Sequence, residues 1–203
     1  MDEKLIAQGM AELALLDADI AKAWQEYGNP PPRSLTPHFV SLLSIVVSQQ
    51  ISTHAAKAIM TRVTALMPTV TPEHYLSLSE QSIREAGLSA RKVLYTRGLA
   101  QAICDGQLDI EQLATLDDAQ AITKIMALKG FGRWSAEIFL MFALTRTDVF
   151  PADDLALQVA LGRLKGLDEK PTAKEARTIV TAWAPWRTVG SLFLWHYYRG
   201  APA

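Results

Sequence analysis

Cysteine is almost absent: the 203-residue chain carries one, Cys104. A single thiol excludes an internal disulfide and any four-cysteine zinc or iron–sulfur site. The four histidines, at positions 38, 54, 74 and 196, fall on separate segments without metal-ligand spacing, so no side-chain metal set is readable. Long apolar runs are missing. None approaches the ~18 residues of a membrane span, and the acidic start MDEKLIAQGM lacks the apolar stretch of a secretory signal. These absences point to a reducing compartment without a membrane partner, the cytoplasm of a bacterium or the nucleus of a eukaryote. Excess charge of one sign is lacking too. Twenty Lys and Arg against 21 Asp and Glu leave a net −1, which argues against sequence-blind coating of DNA but allows a local basic face. No useful period-2 alternation and no fixed internal repeat occur. What remains is an all-α pattern whose 49% hydrophobic content suffices for a sizeable core, in one unit or two intimately packed halves.

Residues 3–27 place Ile6, Met10, Leu13, Ile20, Trp24 and Tyr27 on one apolar stripe, which predicts a long helix with Trp24 as a core anchor. GNPPP at 28–32 ends it. Thr36 and Pro37 are an N-cap and first helical residue for a helix bearing Phe39, Leu42, Leu43, Val46 and Val47. Ser48 to Ser52, with Gln49, Gln50 and Ile51 between, is a polar break before helix 53–66. One or two short helices follow from Thr71 to Ala86, stopped by Gly87. Ser89 opens a helix whose Arg91, Lys92 and Arg97 form either a basic face toward phosphate or a solvated surface. Asp109 to Leu128 supplies one or two more helices. Leu155 to Leu164, Thr172 to Trp183 with a Thr172/Glu175 capping box, and a last helix from Pro185 complete the pattern. Trp183 and Trp186 are assigned to packing.

The chain is organised around residues 128–154, LKGFGRWSAEIFLMFALTRTDVFPADD. Gly130 and Gly132 lie in a very short turn between two helical patterns, a helical hairpin. Glycine there strips the Cβ and leaves amides bare at the start of the second helix, which suits one phosphate oxygen, with Lys129 and Arg133 adding charge at the rim. Beyond that helix, Asp153 and Asp154 stand directly before the apolar run 155–164. Taken singly, the two glycines also read as a C-cap turn and the aspartate as an N-cap.

Taken together, LKGFGRWSAE, DVFPADDLALQ, VVSQQISTHAAKAI (46–59) and APWRTVGSLFLWHY (184–197) resemble the helix-hairpin-helix DNA glycosylases. The match is to the 3-methyladenine DNA glycosylase II branch and runs from about Pro37 to Tyr198. The resemblance implies an all-α fold of two packed helical subdomains with the active-site cleft between them, and a short form without the N-terminal β domain of many relatives. On that pattern 36–130 is the central subdomain, and 1–35 plus 131–203 is the second. It also implies damaged DNA as partner, a monomer, no required cofactor and no iron–sulfur cluster. A structural Na+ or K+ is expected on the carbonyls of Met126, Leu128 and Phe131. Asp154 takes the catalytic role, leaving Asp153 as a cap or support. Gln50 takes the position that plugs the gap left by a flipped nucleotide, beside Gln49 and Ile51. Lys129, Gly130, Gly132, Arg133 and Ser135 hold the DNA backbone. Trp134 stands where bifunctional relatives have a nucleophilic lysine, so the chemistry is hydrolysis without strand cleavage. Trp134 and Trp195 are candidate pocket walls for a cationic alkylpurine, and Trp195 also reads as core. A glycosylase for another damaged base and a non-catalytic DNA-binding module are the competing functions.

Overall fold

The computed structural model describes residues 1–200, and every regular element among them is helical. The chain divides into two compact units, Leu35–Leu144 and Met1–Ser34 joined by the chain from Thr145 onward. The expected division near residue 130 lies before this one, which falls after Leu144. The difference is the second hairpin helix, which is buried without interruption from Ser135 to Phe142 and packs on its own hairpin partner and on the helix at 39–48.

The Leu35–Leu144 unit contains α3 (Phe39–Ser48), α4 (Thr53–Ala65), α5 (Pro72–Ser77), α6 (Glu80–Glu85), α7 (Ala90–Cys104), α8 (Ile110–Thr115), α9 (Asp118–Met126) and α10 (Arg133–Phe142). Its axis is α3, with seven buried residues on a ten-residue helix. Such a helix is stabilised by the packing of α4, α7 and α10 around it rather than by an amphipathic face. Its start departs from expectation: His38 is the N-cap without a side-chain bond, while the Thr36 carbonyl accepts from Ser41 Oγ at 2.6 Å. The other starts follow the local signals, with Ser52, Thr71, Ser89, Asp109 and Asp117 each accepting a first-turn amide.

The other unit contains α1 (Glu3–Leu16), α2 (Ala18–Tyr27), α11 (Leu155–Leu164), α12 (Ala173–Ile179), a 3-10 turn (Val180–Trp183) and α13 (Arg187–Gly200). The long helix predicted over 3–27 breaks at Asp17. That residue leaves helical geometry (φ −144°, ψ 108°), and its carboxylate accepts from the Asp19 and Ile20 amides, capping α2. The same carboxylate accepts from Lys165 Nζ at 2.7 and 2.6 Å and from buried Trp183 Nε1 at 2.7 Å, joining the α1–α2 corner to the end of α11. Trp183 reaches it under α13 at Gly190, where a Cβ would collide with the indole. Trp24 is half-buried rather than a core anchor, with Nε1 donating to Asn29 at 2.8 Å. The Thr172/Glu175 capping box forms as predicted.

Candidate active site and helical hairpin

Asp154 sits at the end of a loop held from both sides. Upstream, Asp148 receives both arms of Arg187 at 2.7 Å, and the buried Thr188 hydroxyl donates to the Arg146 carbonyl and accepts the Val149 amide. Within the loop, the Ala152 amide donates to Phe150 O and the Asp154 amide to Pro151 O, both at 2.9 Å. Gln158 Nε2 adds a bond to Ala152 O at 2.8 Å. The two aspartates separate cleanly. Exposed Asp153 pairs with Arg177, which also donates to the Phe150 carbonyl, so it fastens the loop.

Half-buried Asp154 is the N-cap of α11: its Oδ1 accepts from the Leu157 amide at 3.1 Å and from Trp195 Nε1 at 3.2 Å. The capping reading of this residue is what these bonds show, and the N-terminal end of α11 favours a negative charge there. Trp195 is half-buried and bonded to the carboxylate, which the sequence did not indicate. Arg33 was missed altogether. Its guanidinium carbon lies 5.8 Å from the Trp195 ring centroid, and no local pattern around residue 33 marks it.

In the other unit, α9 turns through Leu128–Gly132 into α10. Gly130 has φ +91°, and a Cβ there would strike the Tyr95 ring, so this position admits only glycine without rearrangement. Gly132 is different. Its backbone is extended (φ −91°, ψ 177°) and open space lies beyond it. As an N-cap without a side chain it gives the first turn of α10 no side-chain cap, and a helix N-terminus of this kind suits an anion. Lys129 and Arg133 are exposed beside it, and Arg133 Nε also reaches buried Glu137 at 2.9 Å. Trp134 is half-buried on the first turn of α10.

Two expected DNA contacts, Gln49 and Ser135, and two cations of the possible basic face, Lys92 and Arg97, make hydrogen bonds within the unit. Gln49 Nε2 donates to Gly130 O and to Ser135 Oγ, both at 3.0 Å, so Gln49 ties the polar break to the hairpin. Ser135 is 2% exposed, which removes its side chain from a strand's reach. Lys92 Nζ donates to the carbonyls of Val47 and Gln49 at 2.7 and 2.8 Å, closing the end of α3, and Arg97 likewise caps α5 through Leu76 and Leu78. Of the possible basic face, Arg91 is exposed while Lys92 and Arg97 are half-buried. Gln50, by contrast, is exposed and held at φ +58°, beside Ile51 at 38% exposure. A non-glycine residue in that region costs about 1–3 kcal/mol. Gln50, Arg91, Tyr95 and the turn at Gly130–Gly132 line one groove of about 700 Å³.

A helical fold that presents a hairpin turn without a side-chain cap and, in its other unit, a capping aspartate in a braced loop defines a class of helix-hairpin-helix DNA-repair proteins. The sequence profile of the HhH-GPD superfamily base excision DNA repair protein matches residues 43–185, and the chain belongs to this family. It is 32% identical over 161 residues to DNA-3-methyladenine glycosylase 1 of Schizosaccharomyces pombe, covering 77% of this chain and 71% of that protein. With the DNA-3-methyladenine glycosylase of Saccharomyces cerevisiae it shares 35% over 150 residues, 69% of this chain and half of that one. The solved structure of the S. pombe 3-methyladenine DNA glycosylase (Mag1) in complex with abasic DNA superposes with a TM-score of 0.89 at 31% identity, covering 96% of this chain and 98% of that one. No helix among the described residues is long and apolar enough to cross a membrane.

Proposed function

We propose that this protein is a monofunctional DNA glycosylase that releases alkylated purines, such as 3-methyladenine and 7-methylguanine, from duplex DNA and leaves an abasic site. The observation that carries the reading is the Asp154 carboxylate, with Oδ1 fixed by Leu157 N–H and Trp195 Nε1–H at the start of α11. A duplex hides the bond between base and sugar, so the nucleotide must be extruded. The first-turn amides of α10, with Lys129 and Arg133, hold the backbone, and Gln50 with Ile51 fills the vacated stack. As the C1′–N bond lengthens, positive charge grows on the sugar, and the oriented carboxylate stabilises it and orients the attacking water. Trp195, in the same unit as Asp154, offers an indole face to a base that carries a formal positive charge, an attraction of about 0.5–2 kcal/mol. Because residue 134 is not lysine, no amine is present there to form a Schiff base, and the strand stays intact. The carbonyls of Met126, Leu128 and Phe131 are the candidate donors for Na+ or K+ at the hairpin. Three neutral oxygens suit a singly charged ion, and Leu128 O, which accepts Phe131 N–H at 3.1 Å, has a second lone pair.

The test is Asp154→Asn on methylated duplex, with released bases identified by chromatography. Asparagine keeps an oxygen for Leu157 and Trp195, so the fold and lesion binding persist while release falls by about 10²-fold or more. Release at the wild-type rate, or a wild-type adduct trapped by borohydride, overturns the mechanism.

A further inference from the structure

Arg33 stands in the non-helical stretch between α2 and α3, outside both the aspartate loop and the hairpin. Its guanidinium nevertheless covers the Trp195 ring, the same ring whose Nε1 donates to Asp154. On the reading above, that indole face is meant for a cationic base. Two cations cannot share one face, so the resident one must move when the base arrives.

Its backbone is tied, since the Arg33 carbonyl accepts the Met1 amino group at 3.1 Å, but the side chain is exposed to solvent. Surrounding protein and then Arg199 depress the guanidinium pKa while Asp154 raises it, so the cation feels the carboxylate directly. Solvent thus reaches a side chain that protein still crowds, and arginine remains charged throughout.

DNA changes the local balance. A sugar whose C1′ faces Asp154 brings a phosphate on either side, so negative charge arrives next to a carboxylate. Arg177 is bonded to Asp153, Arg187 to Asp148 and Lys165 to Asp17, and Arg199 is the cation whose charge reaches Arg33. A guanidinium forks onto phosphate oxygens far better than it holds an aromatic face. We infer that Arg33 is a DNA-phosphate ligand that quits the Trp195 face for the phosphate flanking the extruded sugar, so that gripping the backbone and uncovering the pocket wall are one event. This inference rests on the glycosylase reading.

The experiment measures Kd of the full chain for a duplex bearing a tetrahydrofuran abasic analogue, across a KCl series, for wild type, Arg33→Met and Arg33→Lys. One lost phosphate contact lowers the slope of log K against log salt by about 0.9, so the affinity gap between wild type and Arg33→Met narrows roughly three- to fourfold over a fourfold rise in salt. Arg33→Lys retains the wild-type slope. Equal slopes for wild type and Arg33→Met overturn the assignment, whatever happens to affinity, because a residue that only props up Trp195 does not change the number of phosphates bound. If Arg33→Met fails to fold by circular dichroism, Arg33→Gln carries the same expectation. A wild-type protein that neither binds the abasic duplex nor releases methylated bases refutes the glycosylase reading instead.

Discussion

Gln49 is where sequence and structure disagree most usefully, and Gln49→Ala tests which is right. The substitution removes two hydrogen bonds at 3.0 Å from Nε2, to the Gly130 carbonyl and the Ser135 hydroxyl. Each contributes about 0.5–1.5 kcal/mol net, so the loss is about 1–3 kcal/mol. For a chain of this size that lowers Tm by roughly 2–4 °C per kcal/mol, hence about 4–8 °C at the midpoint. Gln49→Glu preserves the shape but cannot donate to the Gly130 carbonyl, although the Ser135 hydroxyl can donate to it, so it should melt below wild type. Both variants should bind abasic duplex more weakly, because the turn that presents the α10 amides is no longer fastened. For Gln49→Ala the salt slope should stay at its wild-type value, since a neutral amide displaces no counterion. Calorimetry and anisotropy titrations give both numbers. A Gln49→Ala protein that melts with wild type yet loses DNA affinity refutes the tie and restores Gln49 as a direct contact.

Trp195→Phe keeps an aromatic face but removes the N–H that bonds Asp154 Oδ1. Hydrogen bonds to charged groups are worth about 1.5–3 kcal/mol, so single-turnover release of 7-methylguanine should fall about ten- to a hundredfold. A rate within twofold of wild type removes that bond from the mechanism. Acid unfolding reports on Asp17. Burial raises its pKa, but hydrogen bonds from Lys165 and Trp183 and the Lys165 charge outweigh that, and the net shift is downward from 3.8. A depressed carboxyl pKa contributes stability that is present above the unfolded value and lost as pH falls through the folded one. Below 3.8, wild type should therefore lose Tm more steeply than Asp17→Asn, although the variant melts lower at neutral pH. Parallel acid curves show that the carboxylate charge contributes nothing to folding.

Most helix boundaries were legible because their causes are local. The Thr172/Glu175 capping box, Ser52, Ser89 and Asp117 each bond an amide within three residues, and a cap is a relation between near neighbours. Asp17 escaped because the apolar stripe continues across it, although it caps α2 through the Asp19 and Ile20 amides; Lys165 and Trp183 add bonds to it from far along the chain. The hairpin glycines were readable as a turn, but the reason for Gly130 is the Tyr95 ring, which only packing supplies.

The sequence alone determined the helical class, the hairpin turn, and an aspartate at a helix start in a motif order that names the family. Tertiary structure decided what each polar side chain does. Gln49, Lys92 and Ser135 have the composition of a DNA-binding surface and are used to hold the hairpin and α3. Arg33 has no local signature and lies over the ring that bonds the aspartate. The physical reason is range: periodicity and capping act over a few bonds along the chain, whereas a long polar side chain takes whichever partner folding brings within about 3 Å.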